Sequence, residues 1–339
     1  MGIAQRPMQS HPHPPRPISI VDLRQLSVRQ LEPLLQEESR FWRDELRWDY
    51  RNSIDLIRRF VDARSLAGAA VLENGQVTGY AFYVIEDYKG LIGGLFVSPR
   101  YDQLKFAAEL LADVLTTLRA VPQISRIEAQ LMPFGCPLDT ALAEQGFRLF
   151  ARNFMMLDFT AEGANLTDAA AGPVPERPGP GRGQFLERWE HAYFDAAARL
   201  IQLAYANHVD GEINDQYRTQ SGALKFLKNI VVLPGCGQFL PDASFVLRTP
   251  HSPELTGLVL TSTVSPGVAH TTQICVMPGY QGHGLGRRLL EASIQALRAS
   301  RYSALSLTVT AGNARACQLY ERMGFHTIKS FSAGVWYAR

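Results

Sequence analysis

Cysteine is scarce in this 339-residue chain. Its four cysteines, Cys136, Cys236, Cys275 and Cys317, lie far apart and form no C-x-x-C pair. That spacing argues against a zinc ribbon or a disulfide framework and predicts reduced thiols in a cytoplasmic protein. Long apolar runs are missing too. None approaches the roughly 20 residues that cross a bilayer, so no membrane span is predicted. The first residues carry no apolar signal core. Charge of one sign is not in excess, and a net +2 gives no electrostatic ground for a nucleic-acid partner. What the chain does have is apolar material, 46% of residues, enough for a packed core. Its length suits two ordinary domains.

One stretch stands out, from Val276 through Pro278, Tyr280, Gln281, Gly282, His283, Gly284, Leu285, Gly286 and Arg287 to Leu290. An apolar strand over 272–276 runs into a glycine-rich turn that opens directly into an amphipathic helix. Such a turn leaves backbone N–H groups unpaired at the positive end of the helix dipole, which is a seat for phosphate or diphosphate. Arg287 and Arg288 add charge nearby, one of them expected on the solvated face. The dinucleotide fingerprint G-x-G-x-x-G does not fit, because the order is G-x-G-x-G and the next strand offers no suitable acid. The P-loop does not fit either, because Gly286 is followed by Arg-Arg. Downstream, 305–310 reads as a strand, Asn313 caps a helix over 314–323, and Gly324 ends it before a strand beginning at Phe325.

The chain also repeats itself. Val97-Ser98-Pro99-Arg100-Tyr101 aligns with Val276-Met277-Pro278-Gly279-Tyr280, Leu110-Leu111 with Leu289-Leu290, and Gly146-Phe147 with Gly324-Phe325. The sequence therefore predicts a tail over 1–17, one copy over 18–159, a Pro/Gly/Ala-rich linker over 160–183 and a second copy over 184–339. In the first copy we expect a strand at 18–24, helices at 29–38 and 53–62, and a hairpin of 68–72 with 77–85 around Asn74-Gly75. A strand at 90–97 and a helix at 103–119 follow. The second copy starts with a strand at 184–189 and a helix at 193–205. A polar loop, a helix at 222–230 and strands at 243–248 and 257–264 come next. This mixture is α/β. The copies differ where a phosphate would sit. Gln281, Gly284 and Gly286 align with Asp102, Lys105 and Ala107, and Tyr320 with Leu142. The first copy keeps packing residues and loses the seat.

Gln281-x-x-Gly284-x-Gly286 after the Val-x-Pro strand end, followed by Asn313-x-x-Ala316-x-x-x-Tyr320-x-x-x-Gly324-Phe325, resembles the GNAT superfamily of N-acetyltransferases. The resemblance covers about 190–337, with a fainter copy over 18–159. It implies two tandem GNAT-like domains, each a mixed, mostly antiparallel central sheet flanked by helices. It also implies acetyl-CoA as co-substrate, with no metal, and direct transfer of acetyl to an amine. Backbone at Ile274, Cys275 and Val276 would pair with the pantetheine arm. Gln281, Gly282, His283, Gly284, Leu285, Gly286 and Arg287 would hold the diphosphate, and Asn313 would orient the co-substrate. Tyr320 would protonate the departing thiolate.

In this family the connection between the first two helices lines the acceptor pocket. Here that is the acidic stretch with Asp210, Glu212 and Asp215. Two readings stand for it: Asp210, Glu212 or Asp215 binds the amine or receives its proton, or these acids simply cap the next helix. His208 reads as a loop or packing histidine. The family's strand glutamate is replaced by Thr308, which leaves the base unassigned. His270 reads as either exposed or pocket-lining, and Cys275 as packing. A small cationic amine is the expected acceptor in preference to a protein. A non-catalytic acyl-CoA sensor is the alternative.

Overall fold

The computed structural model describes residues 18–134, 138–159, 183–233, 236–250 and 252–338. The predicted tail 1–17, all but the last residue of the predicted linker 160–183, and Cys136 lie outside the described residues.

In the first copy, β1 (Ile18–Asp22) leads into α1 (Val28–Leu46) and α2 (Arg51–Asp62). β2 (Gly68–Glu73), β3 (Gln76–Glu86) and β4 (Lys89–Val97) follow, then α3 (Gln103–Arg119), β5 (Arg126–Gln130), α4 (Leu138–Glu144) and β6 (Arg148–Asp158). The second copy opens with β7 (Phe185–Arg188), α5 (Phe194–Tyr205), α6 (Val209–Ile213) and α7 (Gln220–Val231). It continues with β8 (Gln238–Phe239), β9 (Phe245–Arg248), β10 (Leu255–Ser265) and β11 (Val268–Val276). It ends with α8 (Leu285–Ala299), β12 (Ala304–Thr310), α9 (Ala314–Arg322) and β13 (His326–Tyr337).

Two elements depart from the sequence expectation. α1 runs eight residues past 38, because Leu31, Leu34, Leu35, Glu38 and Leu46 continue one buried stripe past Pro33. The supposed polar loop after α5 is helical: α6, then a 3-10 turn at Asp215–Arg218. Its caps are not the acids. His208 Nδ1, Asn214 Oδ1 and Thr219 Oγ1 accept from the amides of Asp210, Gln216 and Gly222.

The strands form one sheet in the order β1-β2-β3-β4-β5-β13-β6-β12-β11-β10-β9-β7, with β8 on β10. β4 with β5 and β11 with β12 pair parallel, and the remaining neighbours antiparallel. The last strand of each copy lies in the half-sheet built by the other. β13 pairs with β5, β6 pairs with β12, and β6 and β13 pair with each other. The copies are consecutive in sequence and interlocked in space. Helices cover both faces: α3 packs over β2–β5 on one side and α1 and α2 on the other, while α8 and α9 stand opposite α5 and α7 in the second half.

The first copy encloses a carboxyl group. Glu38 is 2% exposed and accepts hydrogen bonds from the Tyr80 hydroxyl (2.5 Å) and Trp42 Nε1 (3.4 Å). Burial pushes its pKa up to about 7 against the pull of those two donors. Folded Glu38 thus holds a proton that the unfolded chain releases near its ordinary value. Its contribution to stability is complete at low pH and declines as pH rises from the unfolded value to about 7. The decline amounts to about 3 kcal/mol by linkage. Urea unfolding of wild type and Glu38→Gln at pH 5 and pH 8 should show the variant gaining relative stability at the higher pH. An unchanged difference would refute the buried-proton account.

Candidate active site

Pairing between β11 and β12 stops early. It runs from Val268 opposite Ala304 to Thr271 opposite Leu307, while β11 stays paired with β10 as far as Val276. Beyond Thr271 the two parallel strands splay and leave a free strand edge. Met277 N–H bonds Thr256 O, so alternation turns the N–H and C=O of Ile274 and Val276 toward that open edge. A cavity of about 430 Å³ fills the wedge. Its walls include Tyr205, His208, Ile274, Cys275, Val276, Gln281, Gly282, Gly284, Leu285, Gly286, Arg287, Asn313, Arg315, Tyr320 and Arg322.

The glycine-rich turn builds the mouth of this cavity. Gly282 (φ +88°) and Gly284 (φ +80°) occupy left-handed backbone that side chains strain to adopt. Gly284 is the N-cap of α8 and brings no side chain to it, and the first helical bond is Arg288 N–H to Gly284 O. The amides of residues 285–287 therefore have no intrahelical acceptor. The equivalent helix in the first copy is closed by its own carboxylate: Asp102 Oδ1 accepts from Lys105 N–H at 3.1 Å. Arg287, bonded to Glu291 (2.6 Å), and Arg315 and Arg322 of α9 surround the open mouth. Arg315 lies against the turn, since a Cβ on Gly282 would come within 2.9 Å of its Nη2. This donor set suits the diphosphate of a coenzyme, and the free strand edge suits an amide-bearing arm.

Not every residue expected at the seat turns its polar side-chain groups to it. Gln281 Nε2 donates to Val276 O (3.1 Å) and braces the turn. The Tyr205 hydroxyl takes Ile274 O (3.1 Å), so the edge offers its N–H groups rather than these two carbonyls. His283 Nδ1 folds back toward Tyr280 O, and its side chain is not part of the wall. Arg288 turns away and donates to Gln184 O.

Behind His208, which lines the cavity, Asp210 stands outside the wall among His208, Thr310 and Arg152. The Thr310 hydroxyl donates to Oδ1, and His208 Nδ1 lies 3.4 Å from Oδ2. Burial raises the Asp210 pKa, but the His208 hydrogen bond, the charge of Arg152 and the Thr310 hydroxyl outweigh it, so the carboxyl titrates below its ordinary value. His208 Nε2 meets Asn313 Nδ2 at 3.1 Å. Because Asn313 Oδ1 already accepts from Ala316 N–H, its amide nitrogen is the donor and Nε2 the acceptor. His208 Nδ1 also accepts from the Asp210 amide, so a donor faces each ring nitrogen and these contacts do not fix the tautomer. Tyr320, 6% exposed, shares the wall; burial first, then the Asp210 charge, raises its pKa and keeps it a neutral phenol.

Glu212 requires a correction. It pairs with Arg218 (2.9 Å) and Arg148 (3.4 Å) at the surface and is not part of this cavity. Asp215 is likewise absent, buried against Lys89 and Tyr88. His270 is neither exposed nor lining: it is buried between Trp48 and Phe154 and bonded to Ser306, with its pKa pushed down to about 3 by burial and by Arg152. Burial raises the Cys275 thiol far above its ordinary value, which removes it as a nucleophile. Sequence reasoning also missed three wall or neighbour residues and read a fourth, His208, as packing. Arg315 and Arg322 are seven apart on one face of α9, a legible signal. Arg152 comes from the other copy, and His208 has no local signature.

The profile of the Acetyltransferase (GNAT) family matches residues 28–135 and again 217–325, more than half of the chain. The chain belongs to this family, as a tandem member. It is 29% identical over 170 residues to a mycothiol acetyltransferase of Beutenbergia cavernae, covering 50% of this chain and 52% of the relative. A 53-residue stretch is 49% identical to an Escherichia coli ribosomal protein bS18-alanine N-acetyltransferase, covering 16% of this chain and 36% of that one. The chain thus spans about half or less of the curated relatives it matches. A solved tandem GNAT protein from the clavulanic acid biosynthesis pathway shares the fold across 95% of this chain and 99% of its own, with TM-score 0.57 and 15% identity. Among the described residues, no helix is long and apolar enough to cross a membrane.

Proposed function

We propose that the second copy transfers acetyl from acetyl-CoA to the amine of a small molecule by direct attack. The observation that carries this is the uncapped α8 mouth and the free β11 edge opening into one cavity with Tyr320 and with His208, which Asp210 backs from outside the wall. Acetyl-CoA supplies an activated acyl group and a thiolate leaving group. The protein's part is to hold the diphosphate on the amides of residues 285–287 and on Arg287, Arg315 and Arg322. Ile274 and Val276 N–H groups bind the arm.

An alkyl amine is mostly protonated at neutral pH, with a pKa of about 10, and only its neutral form attacks. His208 Nε2 takes that proton when the Asn313 amide turns from it to the co-substrate, with Asp210 behind the ring. Tyr320 gives a proton to the sulfur. The acids of the 210–215 stretch are all engaged within the protein, so free negative charge there does not argue for a cationic acceptor. The longer of the two curated similarities, to a mycothiol acetyltransferase, supports a small-molecule amine.

Thiol release from acetyl-CoA over a panel of primary amines tests the reading. Tyr320→Phe should slow release about tenfold and leave acetyl-CoA affinity within a few-fold. The loss is modest because a thiolate with a conjugate acid near pKa 8.5 leaves readily without full protonation. Tight acetyl-CoA binding with no release on any amine would mark a sensor instead.

A further inference from the structure

The first copy has lost the co-substrate seat, yet its strands β4 and β5 reach the second copy's acceptor segment. Lys89, 5% exposed at the start of β4, places Nζ 2.6 Å from Asp215 Oδ1. Tyr88 donates its hydroxyl to the other oxygen, 2.5 Å away. Arg126, 3% exposed at the start of β5, donates Nη2 to the carbonyls of Glu212 (2.6 Å) and Ile213 (3.2 Å). Those carbonyls close the C-terminal end of α6. Glu128 balances the cations, 2.6 Å from Arg126 and 4.0 Å from Lys89. Ile213 is buried with Phe150 of β6 and Ala333 and Val335 of β13. A cavity of about 530 Å³ adjoins this cluster, but its charged side chains already pair with one another, which leaves little to recognise a ligand.

From this arrangement we infer that Lys89 and Arg126 are positioning residues: the degenerate copy fixes α6, and through it the His208–Asp210 pair. The inference rests on the reading of His208 as the base. A five-residue helix has no stability of its own, so its orientation comes from what grips its ends. One end of α6 is held by His208, and the other by Arg126, with Asp215 anchored just beyond it. Bidentate-capable guanidinium on two successive carbonyls and a buried ammonium on a carboxylate restrict rotation as well as distance. If the grips are removed, His208 and Asp210 lose their register to Asn313 and Thr310, while the α8 mouth, built entirely within the second copy, is untouched.

The test uses the full-length chain with histidine-labelled protein. Removing one partner leaves a buried charge and can unfold the chain, so Lys89→Met is paired with the double variant Lys89→Met/Asp215→Leu, which replaces both charges by apolar groups. The double variant should bind acetyl-CoA within about twofold of wild type by calorimetry. Amide exchange over 208–218 should accelerate at least about tenfold. The His208 ring signals should move toward those of Asp210→Asn. Unchanged exchange and unchanged His208 signals would overturn the inference, as would equal loss of acetyl-CoA affinity, which would show a global effect. Wild type without acetyl-CoA affinity would overturn the proposed function alone, because the exchange and ring signals still report on the grip.

Discussion

Gly286→Asp is expected to weaken acetyl-CoA binding about a thousandfold while leaving the free protein at least as stable as wild type. The two effects have opposite causes at one position. Gly286 is in the first turn of α8 with ordinary helical backbone, and a Cβ there meets only Leu319 and Val276, at 3.7 and 3.9 Å. The side chain therefore fits. Replacing glycine within a helix gains up to about 1 kcal/mol, and a carboxylate near the N-terminus adds about 0.3–1 kcal/mol. That same carboxylate occupies the donors that a diphosphate needs and repels its charge. Losing two charge-assisted hydrogen bonds at about 1.5–3 kcal/mol each accounts for the thousandfold loss. The first copy has already taken this course, with Asp102 closing the matching helix. Calorimetry with acetyl-CoA and a thermal melt of the same sample check both signs. A variant that melts normally and still binds tightly would refute the proposed seat.

The seat was legible because its parts are local. Strand, turn and helix lie in one stretch from Thr272 to Leu290, and the physics of a glycine-capped helix start needs nothing else. The repeat was legible for the same reason, since Val97-x-Pro and Val276-x-Pro mark the same strand end in each copy. The interlocking of the copies was not. β6 and β13 are apolar strands whose sequences do not say which β-edge they join, and both edges were available. The acceptor side failed for a related reason. Asp210 looked like one of three free acids, but Thr310, Arg152 and His208, which define its environment, are scattered from 152 to 310 in sequence. Glu212 and Asp215 are neutralised by cations of the other copy, Arg148 and Lys89. His208 reads in sequence as a loop or packing histidine, and only the fold brings Asn313 and Asp210 to its two nitrogens.

His208→Ala should lower kcat/KM for an amine acceptor by about 10²–10⁴-fold at pH 7, with acetyl-CoA affinity little changed. The pH dependence is the sharper signature. Without a base, the variant depends on the fraction of amine that is already neutral, and that fraction grows about tenfold per pH unit up to an amine pKa of about 10. The deficit relative to wild type should therefore shrink as pH rises and nearly close above pH 9. Asp210, held ionised across this range by His208, Arg152 and Thr310, does not add a second transition near neutrality. Asp210→Asn should show a weaker version of the same profile, because it removes the partner of Nδ1 but leaves Nε2 and Asn313 in place. Glu212→Gln should behave as wild type, since its carboxylate is spent on Arg148 and Arg218 at the surface. A deficit in His208→Ala that stays constant from pH 7 to pH 9.5 would assign the histidine to packing. A loss in Glu212→Gln larger than that in His208→Ala would move the base to the acid that the geometry excludes.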